Sequence, residues 1–348
     1  MSVARLARSF SDEGYDVDIL MRRPSKDHFL LESPPAKINF RFYSSKSKLA
    51  LFFGLLIYVL RKSPHSILAL DTRANLIASW LKLIPGLHIK VWASLRNALN
   101  QNNISDLRKI ARRCDGIIPI SNGLAKDFIE MTGVSEKKVH VISNPVVTPD
   151  LYQLAFQRAD HPWLLNKECP VVMGIGRLTP QKDFATLVRA FAEVRKNRAC
   201  RLIILGEGEL RTELQKLAAE SGIAEDVDFP GFKKNPWCCL RHADVFVLSS
   251  AYEGFGNVLA EAIALGVPAI STDCPSGPSE ILEGGRLGPL IPVGDVHQLA
   301  NAMGQVLDNP PNSQTLIESA QKYRYDVCGA CYLEVMGLTI APTNAEFN

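Results

Sequence analysis

The chain has 348 residues, of which 47% are hydrophobic and 22% charged, with a net charge of +3. That length allows two domains with a core each, the composition is that of a globular protein, and no run approaches the roughly 18–20 apolar residues of a membrane span. Charge is uneven: residues 1–150 hold 22 Lys and Arg against 13 Asp and Glu, a balance of +9, whereas residues 151–348 balance at −6.

In chain order, helices are predicted at 2–12, 48–62, 73–83, 104–113 and 122–132, and strands at 15–20, 37–43, 66–70, 88–93, 116–120 and 138–142. Residues 1–14 are charged and amphipathic and lack the apolar core of a secretory leader. The chain opens directly on a helix, whereas a doubly wound domain normally starts with a strand whose following loop is functional. That strand and loop are therefore expected to be lacking. The apolar run from Leu49 to Leu60, bracketed by Lys46, Lys48, Arg61 and Lys62, reads as a core helix with basic ends or as a helix resting on lipid. The basic first half suits an anionic membrane surface or a phosphate-bearing acceptor. Nucleic acid is disfavoured, because the basic residues are scattered without aromatic interleaving.

Asn144-Pro145 closes the first domain, expected at 1–150, and residues 151–169 read as a linker. A second domain is expected at 170–315, followed by a helix at 316–340 that packs back toward the first domain, and a tail at 341–348. Its strands are predicted at 171–175, 201–205, 226–229, 244–249, 267–272 and 290–293, with helices at 184–196, 210–221 and 257–265. Short apolar strands alternating with amphipathic helices give a parallel sheet covered on both faces. The fold class is α/β, two doubly wound Rossmann-like domains facing a cleft, with ligands beyond the carboxyl ends of the strands.

The run Glu253-Gly254-Phe255-Gly256-Asn257-Val258-Leu259-Ala260-Glu261 is the most informative segment. A strand, a glycine-bracketed loop and a helix start make an anion site, since free backbone N–H groups and the helix dipole favour phosphate. Two flanking carboxylates suit a ligand that is part phosphate and part sugar. Upstream, Gly174-Ile175-Gly176-Arg177-Leu178-Thr179-Pro180-Gln181-Lys182 places two cations five positions apart before a helix. Arg177 suits a forked phosphate contact and Lys182 a point charge. By itself that run also fits a strand-to-helix turn with solvated charges.

Taken as a series with Leu205-Gly206-Glu207-Gly208, Pro230-Gly231-Phe232 and Ser271-Thr272-Asp273-Cys274-Pro275-Ser276-Gly277, these motifs closely resemble the donor half of family 4 retaining glycosyltransferases of bacterial type, which have the GT-B fold. The resemblance runs over about residues 2–340 and is strongest at 171–295. It implies a transferase that moves a hexose or N-acetylhexosamine from a UDP- or GDP-sugar to a glycan or lipid-linked acceptor. It assigns catalytic roles to Glu253, Arg177 and Lys182, with Arg177 and Lys182 on the donor diphosphate and Glu253 facing the donor sugar. Gly176, Gly206, Gly208, Phe232, Gly254, Phe255, Gly256, Asn257, Val258 and Glu261 would bind the donor, Phe232 beside the base and Glu261 on the ribose. Arg96 and Asn97 fall where relatives carry an acceptor-side histidine or acidic neighbour, a departure that puts turnover rather than donor binding in question.

No metal is expected, since the cations and the helix start supply positive charge. Asp16-Val17-Asp18 and Asp226-Val227-Asp228 spell a D-x-D, but at strand starts, where the middle valine turns to the core. The eight cysteines include a vicinal pair, Cys238-Cys239, and a lone C-x-x-C at Cys328 and Cys331, and they read as reduced cytoplasmic thiols. The resemblance implies a cytoplasmic protein at the inner membrane face. The competing readings are a non-catalytic relative that binds nucleotide sugar or a partner protein, and a sugar-nucleotide epimerase, which the Arg177/Lys182 and Glu253/Glu261 series disfavours.

Overall fold

A computed structural model describes residues 2–22, 37–43, 45, 47–99 and 101–338. The chain divides into two compact units, residues 1–145 with 324–348, and residues 146–323. In unit 1 the elements run α1 (Ser2–Asp12), β1 (Val17–Arg22), β2 (Ile38–Tyr43), α2 (Lys48–Lys62), β3 (Ser66–Ala69), α3 (Thr72–Ser79), β4 (Lys90–Leu95), α4 (Ile104–Arg113), β5 (Gly116–Pro119) and α5 (Asn122–Thr132). Unit 2 holds α6 (Pro149–Ala155), α7 (Pro162–Leu165), β6 (Val171–Ile175), α8 (Phe184–Arg195), β7 (Arg201–Leu205), α9 (Arg211–Glu220), β8 (Val227–Gly231) and α10 (Trp237–Leu240). It continues with β9 (Val245–Leu248), α11 (Asn257–Ala264), β10 (Ala269–Thr272), α12 (Pro278–Ile281), β11 (Leu290–Ile291), α13 (Val296–Asp308) and α14 (Ser313–Ser319), and α15 (Tyr325–Val335) returns to unit 1.

Unit 2 is one parallel sheet in the order β11-β10-β9-β6-β7-β8. Its central strands are buried along their length, as a sheet covered on both faces requires. Val172, Leu202, Ile204, Val245 and Val247 meet Leu187, Phe191, Leu299 and Met303 of α8 and α13 in one core. Chain order reverses between β6 and β9, so the carboxyl ends of these two strands are the switch point where open α/β sheets take ligands.

Unit 1 contains two parallel sheets, β1-β2 and β3-β4-β5. Leu81, Val91, Ala93, Leu107, Ile110, Ile117 and Phe128 make the core of the larger one. Helix α15 packs on α1, with Tyr332 fully buried and edge-on to Phe10 at 6.4 Å. Gly329 permits that approach, since a Cβ there would lie 1.8 Å from Ser9 Oγ.

Three segments differ from expectation. The stretch 151–169, read as a linker, carries α6 and α7 within unit 2, because each has a proline in its first turn and a side-chain cap, Thr148 Oγ1 at 3.2 Å from Leu151 N and His161 Nδ1 at 3.2 Å from Trp163 N. The strand predicted at 138–142 is only an isolated bridge, Val139 to Ile117. His140 and Ile142 donate to the carbonyls of Ile117 and Pro119 at 2.9 and 3.0 Å, but Pro119 has no N–H to return the bond. Similarly, the helix predicted at 316–340 is two helices, α14 and α15, separated by a short 3-10 turn (Ala320–Tyr323); residues beyond 338 lie outside the described ones.

Candidate active site

At the end of β6 the chain turns through Gly176, whose N–H donates to Leu205 O at 2.9 Å, so the loops after β6 and β7 lie against one another. Glycine is required on the β7 side. Gly206 has φ 145°, and a Cβ there would sit 1.8 Å from Gly176 O; at Gly208 it would sit 2.3 Å from Leu178 O. Lys182 lies across Gly176, its aliphatic carbons 3.2–3.3 Å from where a Cβ would be. Asp183, at φ 42°, then reverses the chain and caps α8 by accepting from Thr186 N at 3.3 Å and Thr186 Oγ1 at 2.7 Å.

The end of β9 supplies the partner groups. Lys182 Nζ makes an ion pair with Glu253 Oε1, across 71 positions of sequence. Ser250 Oγ donates to the same carboxylate oxygen at 2.7 Å, and Ser249 Oγ donates to Lys182 O at 2.8 Å. Glu253 is only 7% exposed. A buried carboxylate must be paired and hydrogen-bonded, and here a cation and a hydroxyl do both. Arg177 is exposed and donates to Gln181 Oε1 at 3.2 Å, while Gln181 Nε2 donates to Tyr252 O at 3.1 Å. Gln181 thus ties the Arg177 loop to the Glu253 loop. Thr272 Oγ1, at the end of β10, donates to Ser250 O at 2.6 Å and fixes the second loop from its other side.

Helix α11 begins just beyond Glu253. Its N-cap, Gly256, is left-handed at φ 93°, and no side chain caps the helix. A Cβ on Gly277 would lie 2.1 Å from Phe255 O, so the loop after β10 closes over this turn. Glu261, on α11 and 4% exposed, accepts from Trp237 Nε1 of α10 at 2.8 Å. Asn257 and Val258 are half-buried at the helix start, Gly254 is half-buried in the turn, and Phe232 after β8 is 70% exposed.

Most of the side chains singled out in unit 2 therefore converge on strand ends of one sheet, with Lys182 and Glu253 in contact. Phe255 is the exception as a side chain: it is 3% exposed and packs edge-on to Tyr323 at 5.4 Å, so it anchors the turn from beneath. In unit 1, Arg96 follows β4 and donates through Nη2 to Asn144 Oδ1, while Asn97 beside it is exposed. Ser250, Gln181 and Trp237 were not anticipated from sequence. The serine pair at a strand end was the available signal for the first, and the remote contacts of the other two carry none.

Neither D-x-D forms an open carboxylate pair. Asp18 accepts from Arg41 Nε and Tyr58 Oη, both at 2.8 Å, and Asp226 from Arg195 Nε at 2.7 Å, while Asp228 meets His161 Nε2 at 2.9 Å. Among the described residues, one group of metal-ligand types converges: Asp160, Cys238 and Cys239. It fits a cation poorly, because Lys233 occupies Asp160 at 2.5 Å and burial pushes the Cys239 thiol up to about 12. No helix among the described residues is long and apolar enough to cross a membrane.

Comparison with known proteins agrees across both units. Residues 1–149 match the family model for Glycosyltransferase Family 4, and residues 156–323 match that for Glycosyl transferases group 1. An uncharacterized glycosyltransferase of Methanocaldococcus jannaschii is 39% identical over 169 residues, 48% of this chain and 42% of that protein. The Campylobacter jejuni N-acetylgalactosamine-N,N'-diacetylbacillosaminyl-diphospho-undecaprenol 4-alpha-N-acetylgalactosaminyltransferase is 30% identical over 197 residues, 57% of this chain and 52% of that one. The alignments thus span about half the length of these curated relatives. Among solved structures, Anabaena HepE in complex with UDP superposes over 97% of this chain and 95% of its own with a TM-score of 0.78, at 20% identity, which establishes a shared fold, GT-B.

Proposed function

The chain belongs to glycosyltransferase family 4, and from that premise we propose that it is a retaining transferase that moves a hexose or N-acetylhexosamine from a UDP- or GDP-sugar to a glycan or lipid-linked acceptor. The observation that carries this reading is the Lys182–Glu253 pair at the switch point of unit 2, beside Arg177 and the uncapped start of α11. A dianionic diphosphate placed there meets two cations and a positive helix end, which offset the charge that builds on the departing nucleotide.

Phosphate oxygens compete with Glu253 for Lys182. As the ammonium turns to phosphate, Glu253 keeps its hydrogen bond from Ser250 and becomes free to accept from a sugar hydroxyl. Glu261, held by Trp237, is oriented for the ribose, and exposed Phe232 offers an aromatic face to the base. With the leaving phosphate taking the acceptor proton on the face where the new bond forms, configuration is retained. Arg177, Lys182 and α11 do the electrostatic work assigned to a metal elsewhere, so the reading requires none. UDP in the HepE structure and the polyprenol diphosphate acceptor named for the Campylobacter relative support the two substrate classes.

A peripheral position at the cytoplasmic membrane face is part of the same reading. Leu49, Phe53, Ile57 and Leu60 are exposed at positions that share one side of α2, with Lys48 at one end and Arg61 and Lys62 at the other. Such a stripe suits anionic lipid. A non-catalytic nucleotide-sugar-binding relative is the second reading, favoured by the divided sheet of unit 1.

The experiment is incubation of the chain with labelled UDP- and GDP-sugars and polyprenol-diphosphate glycans, with and without EDTA, with the anomeric configuration of the product read by NMR. EDTA-insensitive transfer with retention is expected. Inverted product would contradict the mechanism, and nucleotide binding without transfer to any acceptor would favour the second reading.

A further inference from the structure

Arg96 follows β4, and its guanidinium has unusual surroundings for a cation. Nη2 donates to Asn144 Oδ1, a neutral amide, while Nη1 is buried without a hydrogen-bond partner. No carboxylate pairs with Arg96 among the described residues. The other groups beside it are neutral as well. Tyr332 Oη lies 3.4 Å from Ser94 Oγ, both residues being fully buried, and burial raises the Tyr332 phenol above its ordinary 10 while the Arg96 charge pulls it down. Burial pushes the Cys328 thiol up to about 12, again against the pull of Arg96. A cation with a buried, unpaired donor is costly until a hydrogen-bonded anion meets it.

The route of the side chain places that donor. Strand β4 pairs with β5, and Ile120 N donates to Leu95 O at 3.1 Å, so Arg96 is level with the end of β5. The other edge of β5 is taken by the segment from Val139 to Ile142, through His140 N to Ile117 O and Ile142 N to Pro119 O. Asn144 follows that segment. A side chain rooted beyond β4 and bonded to Asn144 therefore crosses the carboxyl end of β5, where Ser121 caps α5 by accepting from Leu124 N at 3.3 Å. Helix α5 is eleven residues long and has no acidic residue in its first turn. At the neighbouring strand end, that of β3, Asp71 is taken up in capping α3, where it accepts from Ala74 N at 2.8 Å. A guanidinium and the positive end of a helix dipole thus share one place, and they repel each other until an anion joins them.

We propose that the carboxyl ends of β4 and β5 form an oxyanion site, built from Arg96, Asn144 and the start of α5, which takes a phosphate or carboxylate group of the acceptor. Either group offers a guanidinium two oxygens at once, and either offsets the positive charge that Arg96 and α5 bring together. The site itself follows from unit 1 alone. Its assignment to the acceptor rests on the transferase reading above, and it narrows the acceptor class from glycans in general to those that carry an acidic sugar or a sugar phosphate.

The test is an amide chemical-shift titration of the full chain with inorganic phosphate, with glucuronate and, as the neutral control, with glucose. Phosphate or glucuronate should move the Gly123 and Leu124 amides at the start of α5, and glucose should not. A response to phosphate alone assigns the group to a phosphorylated acceptor, and a response to glucuronate alone to an acidic sugar. Silence of α5 toward both overturns the proposal. Arg96→Gln should weaken the response at least about tenfold, the loss of one charged hydrogen bond, with Arg96→Lys falling between that variant and the parent. Equal weakening by the two would mean that the site does not use charge, and the proposal fails. Asn144→Asp keeps the side chain's shape and sets a carboxylate beside the guanidinium, so it should raise the melting temperature and abolish the response. A less stable protein that still binds phosphate contradicts the proposal. Shifts at α5 in a chain that binds neither UDP nor GDP keep the site and remove the transferase reading, whereas nucleotide binding with α5 silent does the reverse.

Discussion

Unit 2 builds a single six-stranded sheet and brings its chemistry to the ends of two neighbouring strands, whereas unit 1 divides the corresponding strands between two sheets. The difference is one of closure. In unit 2 every inner strand is hydrogen-bonded on both edges, and the loops after β6 and β9 are locked together by Lys182, Gln181 and Ser249. In unit 1, Tyr58 of α2 and Arg41 of β2 both bond Asp18 of β1, and the β1-β2 pair has no strand on its other edge among the described residues. On the proposed reading, the donor is handled by the unit with one continuous sheet and the acceptor by the unit whose strands are divided between two sheets.

Four substitutions would break or sharpen that contrast. The largest effect is expected from Glu253→Gln, which keeps the shape of the buried site and removes its charge. Transfer should fall at least ~100-fold, as for loss of one group acting on the reacting sugar, with UDP or GDP affinity nearly unchanged by calorimetry. Undiminished turnover would take Glu253 out of the reaction. Lys182→Ala comes next. A charged hydrogen bond contributes about 1.5–3 kcal/mol, so binding of the nucleoside diphosphate should weaken roughly 10–100-fold, while the nucleoside should bind as before. If nucleoside and diphosphate weaken equally, Lys182 is not a phosphate contact.

Gly206→Ala probes stability in unit 2 instead. A methyl group 1.8 Å from Gly176 O, at a φ of 145°, forces the two loops apart. A loss on the order of 1–3 kcal/mol in denaturant unfolding is expected, and an unchanged midpoint would mean the loops are not tightly coupled. The smallest effect belongs to unit 1. Burial alone would raise the Asp18 pKa, but hydrogen bonds from Tyr58 and Arg41 outweigh it and hold the carboxyl below its ordinary 3.8. A depressed folded pKa stabilises above the unfolded value, and that contribution is lost as pH falls through the folded one. Asp18→Asn should thus cost less than about 1 kcal/mol at neutral pH, because Arg41 is partly solvated. The gap between variant and parent should close below pH ~3.8. A gap that widens in acid would reverse the sign assigned to this carboxylate.

Much of this was legible in the sequence, for physical reasons. Alternating apolar strands and capped helices mark a parallel α/β sheet, and Gly206, Gly208, Gly256 and Gly277 sit where backbone meets backbone or turns left-handed. The ordered series from Gly176 to Glu261 falls at the strand ends of one sheet, where an alternating α/β pattern leads one to look. What stayed hidden was three-dimensional. The Lys182–Glu253 contact spans 71 positions, and Trp237 reaches Glu261 from a four-residue helix that has no periodic pattern to reveal it. Phe255, two positions from Glu253, is expected near the donor through its backbone, and the burial of its ring against Tyr323 is a direction that the sequence of a loop does not give. Pro119 broke the bonding of a segment whose apolar pattern reads as a strand.

The central claim is that unit 2 is a nucleotide-sugar site, and ligand-dependent thermal unfolding of the full chain against UDP, GDP and their sugars tests it most directly. A ligand at ~100 times its dissociation constant stabilises by about 2.7 kcal/mol, so a clear rise in melting temperature with one nucleotide over the other is expected, and it should be reduced in the Lys182→Ala protein. A cooperatively folded chain that responds to none of them would contradict the account.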